Sequence, residues 1–136
     1  MSPSPIFANA PFTFEEMTAN REAESAATFS RYSVPADVDV VEKSQGPVRF
    51  RIYRPLDLAP NPPLLIWVHG GAFIGGNMEM PEGQVTSFEI AKRARALVIQ
   101  IEYRVCDDEI RFPVPQLDCL AVAEWAVNNR EDMGFD

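Results

Sequence analysis

Residues 64–76 constrain the fold more than any other part of this chain of 136 residues. The run Leu64–Val68 is entirely apolar, which is typical of a strand covered on both faces in a mostly parallel sheet. The next eight residues contain four glycines and the only histidine, His69. Glycines keep side chains away from a loop, so its backbone N–H groups can reach a hydrogen-bond acceptor. The run therefore predicts a buried strand that ends in a glycine-rich binding loop.

The composition is typical of one acidic globular unit, with 46% hydrophobic residues and a formal net charge of −8. This charge argues against nucleic acid or an anionic membrane as a partner, because both require patches of Lys and Arg. Cys106 and Cys119 lack the paired spacing of a zinc site, so we expect an inert loop thiol and a small buried residue. Neither a signal peptide nor a bilayer-spanning run is recognisable. We expect a cytoplasmic protein without a metal or another cofactor.

The remaining segments predict strands that alternate with helices. Thr13 and Glu16 form a capping box, which predicts a surface helix to about Ala27. Residues 38–42 and 48–53 predict an opening hairpin, and 48–53 alternates strictly between apolar and basic. A helix over 84–94, a strand over 97–103 and a helix over 117–128 follow. The last helix is apolar almost all round and predicts burial of Leu120, Val122, Trp125 and Val127. This order indicates an α/β sheet.

The glycine loop also carries a family resemblance. His69-Gly70-Gly71-Ala72, directly after the third predicted strand, resembles the His-Gly-Gly-Gly motif of esterases and lipases of the hormone-sensitive-lipase type, in the α/β-hydrolase fold. Further matching residues are Tyr103-Arg104, Phe112-Pro113 and Leu117-Asp118. The segment 106–109 departs from the short Ala-Pro-Glu stretch that is common in the family. The resemblance implies that 1–36 form an N-terminal arm with a cap-like helix, and that 37–136 form the N-terminal part of the hydrolase domain.

The resemblance also implies roles in acyl transfer. Attack on an ester builds negative charge on the carbonyl oxygen, which pre-aimed N–H donors stabilise. Gly71 and Ala72 would supply these donors, and Gly70 would shape the turn of this oxyanion hole. His69 would orient the loop rather than act as a base, while Phe73 and Ile74 would line the acyl pocket. Alanine at position 72 retains its N–H but is expected to disfavour a positive φ.

The Ser, Asp and His of the family's catalytic triad are not expected in this chain. The sequence contains no G-x-S-x-G nucleophile motif and no second histidine. The resemblance therefore implies the oxyanion-bearing N-terminal part of an enzyme for small esters, with a sheet that is incomplete without the nucleophile strand. The open edge of strand 64–68 would need a partner, either a C-terminal hydrolase half or a second copy of the chain.

Other interpretations remain open. One is a non-catalytic remnant or binding module with the same fold. A second is a dinucleotide-binding domain, since residues 70–75 approximate G-x-G-x-x-G and Glu102 follows the next strand, although Ala72 occupies the middle glycine position. A P-loop is excluded, because Asn77 and Met78 replace its Lys-Ser/Thr pair. We interpret Asp107, Asp108, Glu109 and Asp118 as solvated acids rather than metal ligands.

Overall fold

The computed structural model describes residues 32–135, together with positions 16, 19, 20, 23, 24, 27 and 30. The strands are β1 (Val38–Gln45), β2 (Val48–Pro55), β3 (Leu64–Val68) and β4 (Leu97–Glu102). The helices are α1 (Pro81–Ala94), α2 (Val114–Asn128) and α3 (Arg130–Met133). The described positions from 16 to 27 are helical and exposed, as the predicted surface helix requires, whereas the Thr13 cap lies outside the described residues. Among the described residues, none of the helices has the length and apolar character that a bilayer crossing needs.

The four strands form one mixed sheet in the order β1-β2-β4-β3. The antiparallel hairpin of β1 and β2 pairs through β2 with β4, also antiparallel. Strand β4 then pairs in parallel with β3, with Ile66 opposite Ile99. Helix α1 makes the crossover between these two parallel strands, and this topology confirms the predicted α/β class.

Each face of the sheet carries its own core, because β2 and β4 alternate their side chains between the two faces. On one face, Phe50 and Ile99 pack with Val122 of α2. On the other face, Tyr53 and Val98 pack beneath α1. Strand β4 is buried along nearly its whole length. It therefore provides the rigid element beside which the glycine loop begins.

Two predictions of burial are wrong, one for strand β3 and the other for helix α2. Strand β3 is not covered on both faces: it is the edge strand, and the side chains of Ile66 and Val68 are 39% and 45% exposed. Helix α2 buries Val122, but Leu120 and Val127 are more than half exposed. Apolar composition does not by itself ensure burial, because a side chain is covered only where another element packs on it. No described strand lies beyond β3, and helix α2 packs on β1 and β2 with its opposite side open.

Candidate functional site

His69 follows the last residue of β3 and is held from two directions by Tyr103. The two rings stack with centroids 4.1 Å apart and planes at 11°. The Tyr103 hydroxyl donates to the main-chain oxygen of His69 at 2.9 Å. Nδ1 of His69 lies 2.9 Å from the Gly70 oxygen and must donate to it, because a carbonyl only accepts. Nε2 is buried and has no hydrogen-bond partner among the described residues. The ring is therefore fixed inside the loop.

The loop after His69 turns through three consecutive residues with positive φ. These are Gly71 at 126°, Ala72 at 53° and Phe73 at 66°. The expectation that alanine would avoid this region at position 72 is thus wrong. A left-handed conformation costs about 1–2 kcal/mol per residue outside glycine. The turn is held by the Gly71 oxygen, which accepts N–H groups from Ile74 and Gly75 at 3.0 and 3.1 Å.

Gly71 is the tightest point of this loop. A side-chain carbon at position 71 would lie 2.0 Å from the Gly75 oxygen and 3.1 Å from the Gly76 nitrogen, which no real side chain could occupy. By contrast, a side-chain carbon at Gly75 would meet nothing within 4 Å. Among the hydrogen bonds between described residues, none uses the N–H groups of Gly71 or Ala72. The loop therefore presents two uncommitted donors at the carboxyl edge of β3.

Phe73 and Ile74 lie on the outer side of the same turn and are about half exposed. The ring of Phe73 contacts that of Tyr103, with centroids 5.8 Å apart. Its main-chain oxygen accepts the N–H of Cys106 at 2.6 Å. This hydrogen bond joins the glycine loop to the segment that follows β4, and leaves two apolar side chains beside the uncommitted donors.

The prediction that Asp118 is a solvated acid is wrong. It is 3% exposed on α2 and accepts a two-pronged hydrogen bond from the Arg104 guanidinium, at 2.9 and 2.7 Å. The Arg104 N–H also donates to it at 2.9 Å. Burial acts to raise the pKa of this carboxyl, but the Arg104 hydrogen bonds and charge outweigh it and lower the pKa. The pair fixes the segment after Tyr103 to α2.

The far end of the glycine loop is anchored by a polar residue that sequence reasoning missed. Gln100 is fully buried in β4, and its amide nitrogen donates to the Met78 oxygen at 3.1 Å. The hydroxyl of Tyr53 donates to the amide oxygen of Gln100 at 2.7 Å. Glu79, the residue after Met78, forms an ion pair with Arg51 at 2.6 Å. The sequence feature that could have indicated this anchor is a single polar residue, Gln100, inside the apolar run of β4.

The remaining polar candidates form no catalytic or metal centre. Within the described residues, no group of three or more His, Cys, Asp or Glu side chains could hold a metal ion. Asp107, Asp108 and Glu109 are exposed, as predicted. Both cysteines are free and partly buried. Burial raises the pKa of the Cys119 thiol, and the neighbouring charge of Asp118 raises it further, which disfavours a thiolate nucleophile.

Comparison with known proteins assigns the family. A sequence profile described as alpha/beta hydrolase fold matches residues 65–136, which is more than half of the chain. The chain belongs to the α/β-hydrolase family. The predicted resemblance to hormone-sensitive-lipase-type esterases is confirmed, and the hydrolase interpretation of the glycine loop is favoured over a dinucleotide fingerprint.

This hydrolase chain is similar to several esterases. The versiconal hemiacetal acetate esterase of Emericella nidulans is 37% identical over 97 residues, covering 69% of this chain and 32% of that enzyme. An arylesterase of Saccharolobus solfataricus is 33% identical, covering 63% of this chain and 27% of the relative. A bacterial heroin esterase superposes with a TM-score of 0.77 at 29% identity, covering 90% of this chain and 39% of that structure. The chain thus spans about a third of the length of the curated relatives that it matches.

Proposed function

We propose that this hydrolase chain supplies the oxyanion hole of a serine carboxylesterase that acts on small carboxylic esters. The observation that carries the proposal is the pair of uncommitted N–H groups of Gly71 and Ala72, in a loop held by His69 and Tyr103. Donors fixed before the reaction stabilise the charge of the transition state without having to reorganise. The esterase relatives support the same chemistry.

In this mechanism a serine from another part of the enzyme gives its proton to a base in that part and attacks the ester carbonyl; when the carbonyl re-forms, the C–O bond to the alcohol breaks and the alcohol leaves with that proton. The carbonyl oxygen becomes an oxyanion and accepts hydrogen bonds from the N–H groups of Gly71 and Ala72. The acyl group lies beside Phe73 and Ile74. His69 serves as a fixed part of the loop and not as the base, because its ring is buried and stacked against Tyr103.

We further propose that the C-terminal part of a hydrolase pairs with the open edge of β3. One observation supports this occupant over a second copy of the chain: the chain covers about a third of its relatives. The place of pairing is indicated by β3 at the edge of the sheet and by the exposed Ile66 and Val68 next to the proposed oxyanion loop. A strand added there would bury both side chains and place its own carboxyl end beside Gly71.

A chimaera tests the proposed activity. Residues 37–136 replace the matching segment of the bacterial heroin esterase, and hydrolysis of a short-chain nitrophenyl ester is measured. We expect activity that falls about 10²–10³-fold in kcat with Gly71→Ala, because its side chain would displace the loop donors. The matched control is Gly75→Ala, which has room for its methyl group and should change kcat by less than about threefold.

Two results would decide against the esterase assignment. Equal losses in the two glycine variants would show that the loop donors do not act in the reaction. A folded chimaera without ester hydrolysis would favour the second candidate, a non-catalytic module of the same fold.

A further inference from the structure

Gln100 is an unusual residue for its position. It is fully buried in β4, between Ile99 and Ile101, where apolar side chains would serve packing better. Burying an amide without hydrogen bonds is costly, so a glutamine at this position needs partners. Both ends of the amide have one: the Tyr53 hydroxyl at 2.7 Å and the Met78 oxygen at 3.1 Å. Since an apolar residue would need neither partner, the amide is suited to holding Met78.

Met78 lies in the short segment between the glycine loop and α1, and its side chain is fully buried. Two residues earlier, the backbone of Gly76 packs against Gly71, where a side-chain carbon would be only 3.1 Å from the Gly76 nitrogen. A shift of Met78 would therefore be transmitted over two residues to the proposed oxyanion donors. The pairing of Glu79 with Arg51 acts on the same segment from the surface.

The orientation of the Gln100 amide is itself fixed by α1. A side-chain carbon at Gly83 would lie 2.7 Å from the amide nitrogen of Gln100. Only a residue without a side chain lets the first turn of the helix lie directly on the amide. The amide is therefore enclosed between Tyr53, Met78 and the helix, with its nitrogen directed at the Met78 oxygen and its oxygen at the Tyr53 hydroxyl.

We infer that Gln100 is a positioning residue for the proposed oxyanion loop. It fixes the exit of the loop through the Met78 oxygen, as Tyr103 fixes the entrance through the His69 oxygen. Both side chains come from β4 or the residue directly after it, so one buried strand sets both ends of the loop. The role of the loop as an oxyanion hole rests on the proposed function. The anchoring of the loop by Gln100 does not depend on that function.

Hydrogen exchange of the complete chain, followed residue by residue by NMR, tests the inference without any ester. The reporters are the N–H groups of Ile74 and Gly75, which donate to the Gly71 oxygen. In Gln100→Leu we expect both to exchange about five- to hundredfold faster, because the Met78 oxygen loses a buried donor. The matched control is Gln84→Leu, which removes only two long exposed contacts with Glu79, both at 3.4 Å, and should change exchange by less than about threefold.

The conservative variant Gln100→Glu separates positioning from core filling. A carboxylate can accept from Tyr53 but cannot donate to Met78, whereas the protonated acid can do both. Protection of Ile74 and Gly75 should therefore rise towards the wild-type value as the pH falls, after correction for intrinsic exchange. Gln100→Leu should show no such recovery. If the leucine variant does not fold, this pH profile carries the test.

The inference is overturned if Gln100→Leu leaves loop protection at the wild-type level. It is also overturned if the β4 amides lose as much protection as the loop amides, since that would indicate general loosening of the sheet. In the chimaera, Gln100→Leu should lower kcat with KM unchanged. A chimaera that lacks ester hydrolysis would refute the proposed function but would leave the exchange result for Gln100 intact.

Discussion

Replacing Asp118 by Asn should destabilise the chain in a manner that depends on pH. The carboxyl is 3% exposed and accepts three N–H groups, all from Arg104. Hydrogen bonds to a charged group contribute about 1.5–3 kcal/mol, but the Arg104 side chain is 41% exposed and water screens the pair. We therefore expect a loss of about 1–2 kcal/mol in the free energy of unfolding at pH 7. This corresponds to roughly 4–8 °C in Tm.

The direction of the pH dependence follows from the lowered pKa of Asp118 in the folded state. Its stabilising contribution is complete above the unfolded pKa, about 3.9, and is lost as the pH falls through the folded pKa. The difference in unfolding free energy between wild type and Asp118→Asn should thus be largest near neutral pH and shrink below about pH 4.

Urea unfolding at several pH values between 3 and 7, followed by circular dichroism, measures this difference. The matched control is Asp108→Asn, whose side chain is 81% exposed and lies 3.8 Å from Arg111. It should change stability by less than about 0.5 kcal/mol. Equal effects of the two substitutions, or an Asp118→Asn deficit that does not diminish in acid, would refute the reasoning.

Three further predictions concern the hydrogen bond of Tyr103, the open edge of β3 and the ion pair of Glu79. Tyr103→Phe removes the donor to the buried His69 oxygen and should cost about 1–2 kcal/mol in urea unfolding, whereas an unchanged midpoint would show that the hydroxyl does not stabilise the loop. Val68→Lys places a charge on the open edge of β3 and should weaken association with a separately produced C-terminal part of the bacterial heroin esterase in sedimentation velocity; undiminished association would argue against this edge. Glu79→Gln breaks an exposed pair with Arg51 and should cost less than about 1 kcal/mol, an effect that 1 M salt removes.

Local sequence patterns were sufficient to predict the helices and strands of the fold, but not which of their side chains are buried. The alternation of β2 predicts its half-buried face, since the side-chain period of a strand is a local property. Burial of Ile66 depends instead on what lies beyond β3, and burial of Leu120 on what packs on the outer side of α2; no pattern within either element reports that. Apolar runs at an edge and at the centre of a sheet look the same in sequence.

The candidate site likewise has features that the local sequence predicts and others that depend on the folded chain. The glycine motif indicated the loop and its donors, because close backbone packing imposes a local requirement on residue type. The Gln100 side chain bonds to a main-chain oxygen 22 positions away and to a side chain 47 positions away, so these partners meet only after the strands have paired. The positive φ of Ala72 was missed for a related reason. The hydrogen bonds to the Gly71 oxygen form within the folded turn and offset a preference that holds for an isolated residue.

The open edge of β3 connects the stability of this hydrolase chain with its proposed chemistry. The strand ends at Val68, and the uncommitted N–H groups of the glycine loop follow within four residues. A strand that pairs in parallel with β3 must end at the same edge of the sheet, which brings the residues after it next to Gly71 and Ala72. The same pairing satisfies the free backbone groups of the edge and covers Ile66 and Val68. Under the proposed pairing, the strand that extends the sheet would also bring the attacking group to these donors, and a substitution such as Val68→Lys should impair both effects without replacing a donor residue.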